Sequence, residues 1–181
     1  MFSHHDINME QLLQAVQSYV DAHYIGEAEQ TDQYFAKCCF DAAEMCAPMA
    51  MGLPPMDDLF DLLNETDEGF SATLLQLIDR TGKKDAEIYK RANIDRRLFS
   101  KIRSTPDYQP TKATVLAFAI ALELNLEETD LLLERAGYAL SHASKQDIVV
   151  EYFIQEGIYD IFTLNEVLFK FDLPLLGNVK R

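Results

Sequence analysis

Glycine is scarce in this chain: seven occur in 181 residues, most of them where helices should end. No glycine-rich phosphate loop can be drawn from them, and the patterns H-E-x-x-H and G-x-S-x-G are absent as well. Cysteine is equally thin. Cys38, Cys39 and Cys46 are odd in number and clustered, a poor disulfide framework. Their spacing matches no zinc-ligand pattern, even with His4, His5 and His23 nearby. They are expected to be small buried apolar side chains, with no metal and no other cofactor. No uninterrupted apolar run approaches the roughly 18–20 residues of a membrane helix. The start, MFSHHDINMEQLL, lacks the basic flank and apolar stretch of a signal peptide, so a cytoplasmic protein without a membrane segment is expected. Strand alternation of convincing length and internal repeats are missing too. The carboxylate pairs Asp57-Asp58 and Glu127-Glu128 are adjacent in sequence and point to different sides of a helix. They suit helix N-termini better than acid–base work, and no catalytic residue is expected.

Positive charge is lacking over most of the chain, which carries a formal −14. Residues 1–78 hold one base, Lys37, against fourteen acids. Residues 113–181 hold five bases against eleven acids. Ten of the sixteen Lys and Arg residues lie between Asp79 and Lys112, against five acids, so this island is formally +5. A compact positive patch is what phosphate binding needs, and the charge of the whole chain does not exclude it.

What remains is helical periodicity. Met9, Leu12, Leu13, Val16, Tyr19 and Val20 recur at three- and four-residue steps and predict one amphipathic helix. A second is expected over residues 31–45 and a short one over residues 57–63, with a proline- and glycine-containing break between them. Residues 64–69 form a polar joint. From Ser71 onward helices follow in quick succession. The first ends at Gly82, and the second spans residues 84–92 with Ile88, Tyr89 and Ala92 inward. Asn93 stands at the next turn, where a left-handed residue is needed. Asp95 caps the third helix, with Leu98, Phe99 and Ile102 apolar. Thr111 opens a fourth, nearly all apolar from Ala113 to Leu124 and so expected at the buried centre. Asn125-Leu126-Glu127-Glu128 reads as the capping box of a fifth, and Thr163-Leu164-Asn165-Glu166 as that of the last. The final helix would use Phe162, Val167, Leu168 and Phe171 as its apolar face. Residues 172–176 look like a docked end, and His142 is placed to cap carbonyls after the fifth helix.

The stretch from Leu74 to about Tyr138 resembles the Cro-type, lambda-repressor-like helix-turn-helix family. Leu77-Ile78-Asp79-Arg80-Thr81-Gly82 stands where that family ends its first helix, and residues 84–92 stand for its second. Asn93-Ile94-Asp95 stands for the turn, and residues 95–103 for the recognition helix. Pro110-Thr111 opens the fourth helix, and Leu116, Ala119, Ala121-Leu122 and Leu124 fall on the family's apolar positions. The resemblance covers about a third of the chain. It implies an all-α, lambda-repressor-like helix-turn-helix domain over residues 70–140. An acidic helical extension, residues 1–69, would precede it, and a helical pair, residues 141–181, would pack on it. The tail from Leu131 to Leu176 also resembles a small module appended to various bacterial proteins, macro-domain proteins among them, which would suit a regulatory role.

The function so implied is a DNA-binding transcriptional regulator. The recognition helix would lie in the major groove, with Arg96, Arg97, Ser100 and Lys101 toward the bases. Lys83, Lys84, Arg91, Arg103 and Lys112 would meet phosphates. Double-stranded DNA is then the main partner, with a homodimer on paired half-sites and the apolar tail as either its interface or part of the monomer core. The chain departs from the family at Asp85, where a phosphate-bonding Gln is common, and at Tyr89, where a small residue is usual. The loop over residues 104–109 lacks the usual Gly. These departures keep a second reading open, a protein-interaction module on the same fold that no longer binds DNA. The acidic N-terminal part would either shield the basic face, dock on a protein partner, or serve solubility alone.

Overall fold

The computed structural model of the protein describes residues 8–25, 69–106 and 108–177. The expected helices over residues 31–45 and 57–63, and the three cysteines, lie outside the described residues. Those described are all-helical, with eight helices and no strand among them: α1 Met9–His23, α2 Phe70–Thr81, α3 Asp85–Arg91, α4 Arg96–Ser104, α5 Lys112–Leu122, α6 Leu126–Arg135, α7 Lys145–Gln155 and α8 Ile161–Lys170. No helix among them is long and apolar enough to cross a membrane.

α5 is the hub. Every residue from Thr114 to Leu122 is buried, because α2, α3, α6 and α8 all pack around it. A helix apolar on all sides has no solvent face and must sit at a centre. The joints obey local chemistry. Asp95 Oδ1 accepts from Arg97 N at 2.8 Å to start α4. Asn125 and Glu128 form a full capping box at α6. Asn93 turns the chain at φ 51°, a left-handed conformation that Asn tolerates better than most residues. Glu123 takes the same conformation after α5, without the advantages of Asn or Gly.

α1 buries Leu12, Val16 and Val20 against α7, and its Tyr19 hydroxyl donates to Gln155 Oε1 at 3.0 Å. Residues 9–23 therefore share one hydrophobic core with the helices after residue 69. The tail completes that same core. Ile148, Val149, Val150, Phe153 and Ile154 of α7 and Leu164, Val167 and Leu168 of α8 are all buried within the monomer.

The last helix starts earlier than its sequence suggests. Asp160, not Thr163, is the N-cap, and its carboxylate accepts from the backbone N–H of Thr163 at 3.0 Å and from the Thr163 hydroxyl at 2.6 Å. The anchoring of Ile161, 2% exposed, demands this start. It turns Phe162 outward, 68% exposed, with Phe169 one heptad on at 73%. His142 caps no carbonyl among the described residues; its ring nitrogen meets Glu151 Oε2 at 2.9 Å.

Candidate nucleic-acid interface

α3 and α4 are joined by Ala92–Asp95, with Ala92 and Ile94 buried. The left-handed Asn93 lets the chain bond back to α3: Asn93 N donates to Lys90 O at 3.0 Å and Ile94 N to Tyr89 O at 2.8 Å. The inward side of α4 is Phe99 and Ile102, with Leu98 half-buried. Phe99 packs between Phe118 of α5 and Tyr89 of α3, ring centroids 6.1 and 5.6 Å away. Tyr89 thus fills the α3–α4 contact where a small residue was the family expectation.

With that side buried, helical geometry puts Arg96, Arg97, Ser100 and Lys101 together on the outside, since residues four apart share a face. All four are exposed. No carboxylate among the described residues forms a salt bridge with Arg96, Arg97 or Lys101. Lys101 Nζ lies 5.1 Å from the centroid of the Tyr108 ring, which holds its charge at the end of this face. Lys84, the N-cap of α3, is exposed as well.

The other four sequence-derived candidates are engaged inside the molecule. Lys83 Nζ and Arg91 Nη2 both meet Glu123 Oε1, at 3.4 and 2.6 Å. The bond from Arg91 holds the Glu123 carboxyl below the ordinary glutamate range, against a weaker upward push from burial. Arg103 pairs with Asp85, so the acid that departs from the family pattern is neutralised from α4. Lys112 pairs with Asp147 of α7, whose side chain is only 2% exposed and also accepts from Ser141 N at 3.0 Å. Glu123 and Asp147 are the residues sequence reasoning missed, and Asp85 was singled out without its partner Arg103. Glu123 carries one local sign, a left-handed conformation borne by a residue that gains little from it.

Away from this face, an open cavity of about 560 Å³ is lined by Leu126, Asp130, Glu134, Tyr138, His142 and Glu151 among others. Burial and the neighbouring Glu151 charge raise the Asp130 carboxyl above its ordinary range. Among the described residues no group of three His, Cys, Asp or Glu side chains is placed to hold a metal ion. No family model, no curated protein and no solved structure matches this chain.

Proposed function

We propose that the chain is a DNA-binding transcriptional regulator of the lambda-repressor-like helix-turn-helix type, with α4 as its recognition helix. One observation carries this reading: the outward face of α4 offers Arg96, Arg97, Ser100 and Lys101, and no carboxylate among the described residues is salt-bridged to those three cations. Arg96 and Arg97 stand in the first turn of α4, the part of such a helix that reaches base edges in the major groove. Arginine bonds guanine O6 and N7 bidentately, and Ser100 and Lys101 serve base or phosphate one turn later. Lys84 adds a phosphate contact at the start of α3. Two-fold dimers on paired half-sites are the common mode for such domains. Because the buried side chains of α7 and α8 complete the monomer core, self-association would fall to exposed residues such as Phe162 and Phe169.

Binding to random-sequence duplex across a salt series tests this, beside an Arg96→Ala/Arg97→Ala/Lys101→Ala variant. Affinity that falls steeply with salt in the native chain and is lost in the variant supports contact through α4. Absence of binding at low salt, in a folded protein, rejects it. A non-catalytic protein-interaction module is then the reading that stands. The pairing of Lys83, Arg91, Arg103 and Lys112 with internal acids favours that second reading, because it withdraws cations a phosphate backbone would use.

A further inference from the structure

Two short helices meet at the α3–α4 turn. α3 has seven residues and α4 nine, and helices of that length owe their geometry to what packs on them. The interface so far described buries one side of α4 but leaves unexplained what braces the turn that aims it. The brace comes from the other end of the chain.

α8 stops with its final carbonyls satisfied by the chain turning back. Asp172 N donates to Phe169 O at 3.1 Å and Leu173 N to Leu168 O at 2.9 Å, with Asp172 left-handed at φ 55°. The segment that follows is tied down at three points. Gln146 Nε2 of α7 donates to Pro174 O at 2.9 Å. The Asn165 side chain of α8 grips Leu176 by its backbone: Oδ1 accepts from Leu176 N at 2.8 Å and Nδ2 donates to Leu176 O at 3.1 Å. The Leu176 side chain itself is fully buried. Such a two-way amide bond imitates strand pairing and fixes both position and direction of the segment.

Gly177 comes next, and it lies on the α3–α4 turn. A Cβ there would fall 2.8 Å from the carbonyl oxygens of both Ala92 and Asn93, and 3.2 Å from Asn93 Cβ. Its φ of +79° is also one that side-chain-bearing residues rarely adopt. Glycine is therefore required twice over, by conformation and by space. The atoms such a Cβ would meet are the backbone oxygens of Ala92 and Asn93 and the Cβ of Asn93, all at the turn whose left-handed residue joins α3 to α4.

We propose that residues 173–177 form a strap that positions α4, with Asn165, Leu176 and Gly177 as its positioning residues. Asn165 fixes the strap on α8, Leu176 anchors it in the core, and Gly177 braces the turn at Asn93. None of the three need touch a ligand. Their effect on DNA binding rests on the reading of α4 given above, whereas their effect on the turn does not.

Two variants, Asn165→Ala and Gly177→Ala, test this by amide hydrogen exchange without DNA and by duplex binding across a salt series. Exchange of the Asn93 and Ile94 amides and of the α4 amides should rise about tenfold or more in both, with α6 amides unchanged, as local opening demands. Affinity for duplex should drop about tenfold, while the slope of its logarithm against log salt is retained because the phosphate-contacting cations remain. Should Asn165→Ala fail to fold, Gly177→Ala decides, since it leaves α8 and its amide grip intact. Unchanged exchange at Asn93 and Ile94 in the folded variants overturns the strap. Raised exchange in a protein whose native form binds no duplex keeps the strap and rejects the DNA reading alone.

Discussion

Arg96 and Arg97 on the outside of α4, and Arg91 and Arg103 beside them, are the same side chain within one short stretch, yet they are used in opposite ways. The first two have no salt-bridge partner among the described residues, while the second two are tied to Glu123 and Asp85. The difference comes from the partners, not from the arginines. At the start of α4 no carboxylate among the described residues is salt-bridged to Arg96 or Arg97, whereas Arg103 near its end meets Asp85 of α3, and Arg91 of α3 meets Glu123 just past the end of α5. Formal charge along a sequence therefore overstates the charge that a surface can offer. Of the nine cations and polar groups expected at DNA, Lys84, Arg96, Arg97, Ser100 and Lys101 are the ones left available by the described contacts.

The largest effect should come from the free face. Arg96→Ala/Arg97→Ala/Lys101→Ala removes three cations, so the slope of log affinity against log salt should fall by about three times 0.9, and duplex binding at moderate salt should disappear. Its urea-unfolding midpoint should hardly move, because exposed substitutions cost within about 0.5 kcal/mol. A large loss of stability would break the comparison by making these arginines structural.

On the paired side, Lys112 should behave as a core residue. Lys112→Met leaves Asp147 buried beside Ser141 N with no counter-ion and should cost about 3 kcal/mol in urea unfolding. Asp147→Asn should cost less, about 1–2 kcal/mol, since an amide oxygen can still accept from Ser141 N and the Lys112 end is 28% exposed. Equal costs would show that the pair is not anchored at the buried carboxylate.

Glu123→Gln sharpens the comparison from the other direction. It releases Lys83 and Arg91, and the DNA reading predicts a gain in duplex affinity of about threefold, with stability reduced by about 0.5 kcal/mol, the value of a half-exposed pair. The pH dependence follows from the depressed Glu123 carboxyl. Its folded pKa lies below its unfolded one, so its contribution is present above the ordinary glutamate range and is lost as pH falls through the folded value. The variant and native chains should therefore converge in stability in acid. Unchanged affinity in Glu123→Gln would place Lys83 and Arg91 outside the interface.

The smallest effect belongs to Asp130, whose carboxyl is shifted the opposite way. Its ionised form is disfavoured in the folded state, a penalty present above the raised pKa and relieved as pH falls through it. Asp130→Asn should raise stability by ~0.3 kcal/mol at neutral pH, since the group is largely solvent-screened, and by nothing in acid. Destabilisation would show that Asp130 has a partner that Asn cannot replace.

Much of the fold was legible because it is local. Asp95 and Asn125 cap the helices they precede, Asn93 and Gly82 turn the chain left-handed, and α5 is buried where its apolar run demanded. The start of α8 was not legible. Asp160 and Thr163 are both good caps three residues apart, and the choice between them rests on the neighbourhood. The Tyr159 hydroxyl bonds Leu124 O at 3.0 Å and Ile161 enters the core, so the helix must begin between them. Docking of α1 on α7 was equally hidden, because an amphipathic stripe states that a face will be covered and not by what.

The sequence by itself determined the all-helical class, the caps and turns of the α2–α6 run, the central place of α5 and the basic island in an acidic chain. Each of these depends on residues within a turn or two of one another, where covalent spacing sets the geometry. Only the tertiary structure decided which cations stay free, that Asp147 holds Lys112, and that Gly177 lies on the turn at Asn93, 84 positions earlier. Those partners lie from tens of residues to nearly half the chain apart, and no local preference brings them together. Burial of the shared core does, and it sets the charge and the bracing of α4.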